Sequence, residues 1–165
     1  MPTHPQVVHF AIALLLTALL TDILSYFLQK EFFNRVTLFL LALGTVAAFA
    51  AVQTGQQAEE AAEIISGIDA VLDQHENAGE WILRIFGAVL LMRIVLFVLK
   101  KEIAVVRLGL TLLMVVGAFF IYQAGLFGGQ MVYSWGAGVE PVMEQYQKGA
   151  EPDSAPVADS LEVDR

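Results

Sequence analysis

The chain has 165 residues, 57% of them hydrophobic and 16% charged, with a formal net charge of -8 and no cysteine. This balance lies nearer to a lipid-embedded protein than to a water-soluble domain. The absence of thiols excludes disulfides, thiolate metal sites, iron–sulfur ligation by cysteine and thioether-linked haem, and the acidic polar segments speak against a nucleic-acid partner.

The first apolar stretch runs over 5–28. No basic residue precedes it in Met1-Pro2-Thr3-His4-Pro5, and it exceeds the length of a signal-peptide core, so it is expected to stay in the mature protein as a first span. His4 is placed just before the helix, Pro5 in its first turn and His9 about one turn in, ~6 Å deeper. The second stretch covers 34–53 and leads into Thr54-Gly55. The connection that follows mixes Glu59, Glu60, Glu63, Asp69, Asp73, Glu76 and Glu80 with Ala61, Ile64, Ile65, Ile68, Val71 and Leu72 at helical spacing, which predicts an amphipathic helix over the bundle. The third stretch, 79–99, follows His75 and carries Arg84 and Arg93; the fourth, 103–127, runs into a glycine-rich segment over 128–139. From 141 to 165 the chain turns to Glu, Asp, Pro, Ala and Ser, an acidic tail whose last ~15 residues are expected to be disordered.

Each apolar stretch reaches the roughly 20 residues that a helix needs to cross a ~30 Å hydrocarbon core. Their apolarity is continuous instead of alternating, and an open sheet in lipid would leave backbone groups unpaired, so strands are excluded. The predicted fold is all-α: a four-transmembrane-helix bundle over 1–140, an extracytoplasmic amphipathic helix between helices 2 and 3, and the acidic tail. Lys30, Arg35, Lys100, Lys101 and Arg107 flank the two short hairpins and Arg93 sits just inside that end, so the positive-inside rule places the hairpins in the cytoplasm and both termini outside a bacterial inner membrane. Trp81, Tyr133 and Trp135 then fall at the outer interface and Tyr26, Phe27, Phe32 and Phe33 near the inner one.

Alternating span direction gathers His4, His9, His75, Thr54-Gly55 and the 128–139 segment at the same end. Asp22 and Arg93 come out level, each ~9 Å from the opposite end of its span. A lone charge at that depth costs a few kcal/mol, so a salt bridge is the simplest expectation and a proton step through Asp22 the less favoured one.

The ordered set His4-Pro5-x-x-Val8-His9-Phe10, Asp22, Thr54-Gly55, His75-x-x-x-Gly79 and Gly128-Gly129-x-x-Val132-Tyr133-x-x-Gly136-x-Gly138-Val139 resembles a bacterial multipass membrane family catalogued as domain of unknown function 2231. The resemblance runs from about Pro2 to Val139 and leaves the acidic tail outside. It implies the topology and draws attention to His4, His9, His75, Gly128 and Tyr133 without naming a reaction. Some similar proteins carry this module beside Rieske or cytochrome-like domains, an association with redox settings.

The sharpest functional expectation is a b-type haem between the first and third spans, with His9 and His75 as axial ligands and Arg84, Gly129 or Tyr133 near its propionates, in a small electron-transfer component. A variant replaces haem by a metal ion, zinc or copper, on His4, His9 and His75 with Glu76 or Glu80. The alternative class is a non-catalytic accessory subunit that scaffolds a membrane complex, its histidines serving as polar contacts between helices and its small residues as close packing, within one copy or between copies. Enzymatic readings fare worse. His75-Glu76-Asn77-Ala78-Gly79 starts like a zinc-protease motif but has Gly79 where the second histidine belongs, no phosphate-binding loop is present, and four short spans offer little midplane cavity for transport.

Overall fold

The computed structural model describes residues 3–101 and 103–149. They form five helices: α1 (Thr3–Leu24), α2 (Lys30–Ala62), α3 (Asp69–Val98), α4 (Ala104–Trp135) and α5 (Glu140–Gln147). The described residues contain no strand, and α1 to α4 are each long and apolar enough to cross a membrane. α1 packs chiefly on α2 and α3 on α4, with α2–α3 and α1–α4 contacts closing the ring, so α1 and α3 stand diagonally opposed. Most of each span's surface remains uncovered, with Phe39, Leu91, Phe97, Val105 and Phe119 among the large exposed side chains that suit a lipid surround.

Between the helices lies a core of Leu15, Ala18, Leu41, Phe86, Val89 and Met114, all essentially without solvent contact. Small residues set its tightness. A Cβ at Gly117 would fall 2.6 Å from the Phe86 ring, and one at Gly44 2.7 Å from Leu15. Phe86 is itself fully buried and cannot swing aside. Gly117→Val is therefore expected to cost about 1–3 kcal/mol of stability by overpacking, read as an earlier unfolding transition in detergent, while Gly109→Val, which meets nothing within 4 Å, leaves it nearly unchanged.

The apolar stretches and the helices differ at their ends for identifiable reasons. α1 stops at Leu24 although apolar sequence continues to Leu28, because Ser25, Tyr26, Phe27 and Leu28 close successive turns, with Ser25 Oγ donating to the Asp22 carbonyl. In the other direction α2, α3 and α4 outrun their apolar stretches. Their 33, 30 and 32 residues correspond to roughly 45–50 Å of helix, well beyond a ~30 Å hydrocarbon layer. The expected separate amphipathic helix between the second and third spans is therefore corrected. Residues up to 62 prolong α2, those from 69 prolong α3, and a short turn over 63–68, with Gly67 at φ +85°, joins them.

That turn has its own small core. Ala62, Ile65 and Ile68 are buried against Met131, Trp135, Ala137, Met143 and Tyr146. α4 ends on Gly136 in the left-handed conformation (φ +66°), and Pro141 lies in the first turn of α5, where its missing N–H costs nothing. The acidic segment after 140 thus begins as a docked helix, and the tail expected over the last ~15 residues lies outside the described residues. Trp135 packs into this apolar cluster, whereas Tyr133 is 89% exposed.

Candidate functional site

Two polar assemblies stand at opposite ends of the bundle. The first is the histidine end, built from the starts of α1 and α3 and the matching turns of α2 and α4. The His4 ring lies against α2, its Nδ1 3.1 Å from Thr54 Oγ1 and its Cε1 3.1 Å from where a Gly55 Cβ would sit. The Thr54 hydroxyl donates its single proton to the Ala50 carbonyl, 2.9 Å away, one turn back in its helix. With the proton placed there, the hydroxyl accepts from His4 Nδ1–H, and the Ala51 carbonyl is a second acceptor beside the same ring.

His75 repeats the arrangement against α4. Its Nδ1 donates to the Ala124 carbonyl at 3.0 Å, and its Cε1 lies 3.2 Å from the position of a Gly128 Cβ. Each imidazole thus occupies space that a glycine leaves on the neighbouring helix. The two rings stand edge-on to each other, with centroids 6.4 Å apart and planes 80° apart. Both are neutral Nδ1–H tautomers on this reading, which leaves Nε2 of each with a free lone pair. This is the state in which histidines bind metals, with the opposite N–H held by a carbonyl or hydroxyl that orients the ring. Glu63, Asp73 and Glu76 all lie within electrostatic reach of Glu59 around the connection between α2 and α3, giving this end an excess of negative charge.

The remaining expected site residues lie elsewhere. His9 is on an exposed face of α1 and its Nδ1 bonds the Pro5 carbonyl of its own helix at 2.5 Å. The haem position between His9 and His75 is therefore not assembled: five residues of helix turn His9 ~140° away from His4, out of the bundle. Arg84 is exposed, pairs with Glu80 one turn back and stacks over the Trp81 ring at 5.4 Å. Gly129 has open space beside it and Tyr133 is exposed, so neither contributes to the histidine pair. Among the described residues no three His, Asp or Glu side chains gather as metal ligands, so the three-histidine set with Glu76 or Glu80 is not formed either. A shallow groove of about 410 Å³ lies on the α1–α2 surface around Phe10, and another of about 540 Å³ at the start of α2; neither is lined by a histidine.

The second assembly is the arginine end. Asp22, with no solvent contact, accepts from Arg93 Nη2 at 2.5 Å and from Thr111 Oγ1 at 2.6 Å, so α1, α3 and α4 meet on one carboxylate. The Tyr26 hydroxyl lies 2.8 Å from Thr111 Oγ1 and donates to it, since the Thr111 proton is used on Asp22. Arg107 donates to Ser25 Oγ and lies over the Tyr26 ring, 4.3 Å from its centroid. Thr21 and Thr37 join α1 to α2 just beyond, at 2.9 Å.

The sequence marked Thr54, Gly55 and Gly128 as motif residues but gave no contact for them. The Ala124 carbonyl carries no sequence signal at all, being backbone. The family model described as "Predicted membrane protein (DUF2231)" matches residues 1–141. No curated protein and no solved structure matches the chain.

Proposed function

Because the chain belongs to the DUF2231 family of predicted membrane proteins, we propose, from the geometry of its histidine end, that it is a small metal-holding component of a membrane redox assembly, with one copper(I) ion taken between His4 and His75. The single observation that carries this reading is the pair of adjacent, edge-on rings whose Nδ1 atoms are both engaged. Two metal–nitrogen bonds of about 2.0–2.1 Å plus the half-widths of two imidazoles span roughly 6 Å, so an ion bridging the two Nε2 atoms requires a ring separation close to the observed 6.4 Å.

The donor set selects the ion. Zinc takes four ligands in structural sites and at least three from protein in catalytic ones, more than this end supplies. Copper(I), a closed-shell ion, accepts two imidazoles in a near-linear arrangement. A porphyrin between two axial histidines would need His9 beside His75, whereas His9 lies on an exposed face and bonds the Pro5 carbonyl of its own helix. Held copper would supply a one-electron centre close to the membrane surface. By the positive-inside rule the arginine end faces the cytoplasm, so the histidine end and its acidic rim face outward.

The test is copper retention by the purified protein in detergent under ascorbate. One equivalent should resist a competing chelator, and His4→Ala or His75→Ala should each abolish that retention while His9→Ala keeps it. A parent protein that retains no copper, or one whose His4 and His75 variants retain it equally, overturns the proposal. The histidines would then be contacts between helix ends in a scaffolding subunit.

A further inference from the structure

We infer that the arginine end holds the phosphate of an anionic phospholipid from its own leaflet, with Arg107 and Arg93 as the recognising groups. Here two guanidiniums stand beside one carboxylate, which among the described residues pairs with Arg93 alone. Arg93 has only 10% of its side chain exposed and is paired with Asp22, while Arg107 has a hydroxyl and an aromatic face for partners but no carboxylate among the described residues. The assembly therefore carries an excess positive charge. Nε of Arg93 and Nε of Arg107 are enclosed by protein, so contact with a phosphate falls to the Nη groups, those of the partly exposed Arg107 above all.

Position argues for lipid. Arg107 is in the first turn of α4, Asp22 in the last turn of α1 and Arg93 near the end of α3, so the basic groups gather at the ends of three candidate spans, where lipid headgroups border a membrane helix. The start of α4 has no side-chain cap, so its first N–H groups add to the attraction for an anion. Around the site, Phe27 and Val105 are each 80% exposed and Leu108 is 52% exposed, a surface suited to acyl chains. Exposed Lys100 and Lys101 stand on the same hairpin. A basic pocket between spans with an apolar surround is the usual place for an anionic lipid.

The experiment is native mass spectrometry of the full chain in detergent, titrated with phosphatidylglycerol, phosphatidylcholine and inorganic phosphate. The parent should retain phosphatidylglycerol in preference to phosphatidylcholine, and millimolar inorganic phosphate should not displace it. Arg107→Gln should weaken retention about fivefold or more, the loss of roughly one basic contact, and Arg107→Lys should fall between the two. Lys100→Gln with Lys101→Gln should lower it less than Arg107→Gln alone. Equal retention of both lipids by the parent overturns the inference, as does a free-phosphate competitor that empties the site. An Arg107→Gln variant that keeps the parent's unfolding temperature and its lipid does so too. A lysine double variant that loses as much as Arg107→Gln reassigns the effect to diffuse surface charge and sinks the site. Should Arg107→Gln fail to fold, the Arg107→Lys variant carries the test, and full retention by it alongside a large loss in the lysine pair is the contrary outcome.

Discussion

Asp22→Asn is expected to lower the unfolding free energy by about 3–5 kcal/mol, the cost of leaving a buried charge without its counter-charge. The carboxylate has no solvent contact and accepts from two helices, and Arg93, with 10% of its side chain exposed, has no other acidic partner among the described residues. Asparagine keeps the shape but removes the charge, so Arg93 stays in a low-dielectric setting uncompensated. The double variant Asp22→Leu with Arg93→Met should recover much of the loss, because replacing both members of a buried pair by apolar groups of similar volume costs far less than removing one. Reversible unfolding in mixed detergent gives both numbers. An Asp22→Asn protein as stable as its parent would mean that the pair contributes little.

The spans were legible because continuous apolarity over more than 20 residues has few alternatives, and the Asp22–Arg93 contact because a charge within such a stretch needs a partner at its own depth. The outward prolongation of α2 and α3 was hidden. Residues 53–62 and 69–80 change polarity on leaving the lipid without changing helical propensity, so hydropathy ends there while the helix continues. The choice of His9 over His4 rested on depth alone. Depth says nothing about which side of a helix a residue occupies, and α1 is apolar nearly all round, so no stripe marks its inner face. The ~140° between positions 4 and 9 was nevertheless available from helix geometry, and the Thr54-Gly55 motif points to the face that His4 takes. Arg107 read as a flanking charge because its partners, a hydroxyl and an aromatic ring, leave no charge pattern.

Thr54→Val is expected to reduce copper affinity at the histidine end 10–100-fold, the usual effect of removing a group that orients a metal-binding imidazole. Valine keeps the volume and β-branching of threonine, so α2 keeps its path past Gly55. It loses the oxygen that accepts the His4 Nδ1 proton, and the ring is then free to rotate or to place its proton on the other nitrogen. Thr54→Ser should hold affinity near the parent's, since it retains the hydroxyl. Chelator competition against copper(I) gives the ratio. Equal affinity in Thr54→Val and the parent would show that the hydroxyl does not set the ring.

Both end assemblies depend on α1 and α3 meeting across the bundle, and the absence of cysteine makes that contact directly measurable. In a His4→Cys, His75→Cys variant in native membranes, a short bifunctional thiol reagent should join the two positions within one chain and shift its mobility on a denaturing gel. The matched His9→Cys, His75→Cys variant should remain unlinked, because position 9 faces the lipid. Linking through position 9 but not through position 4 would contradict the account.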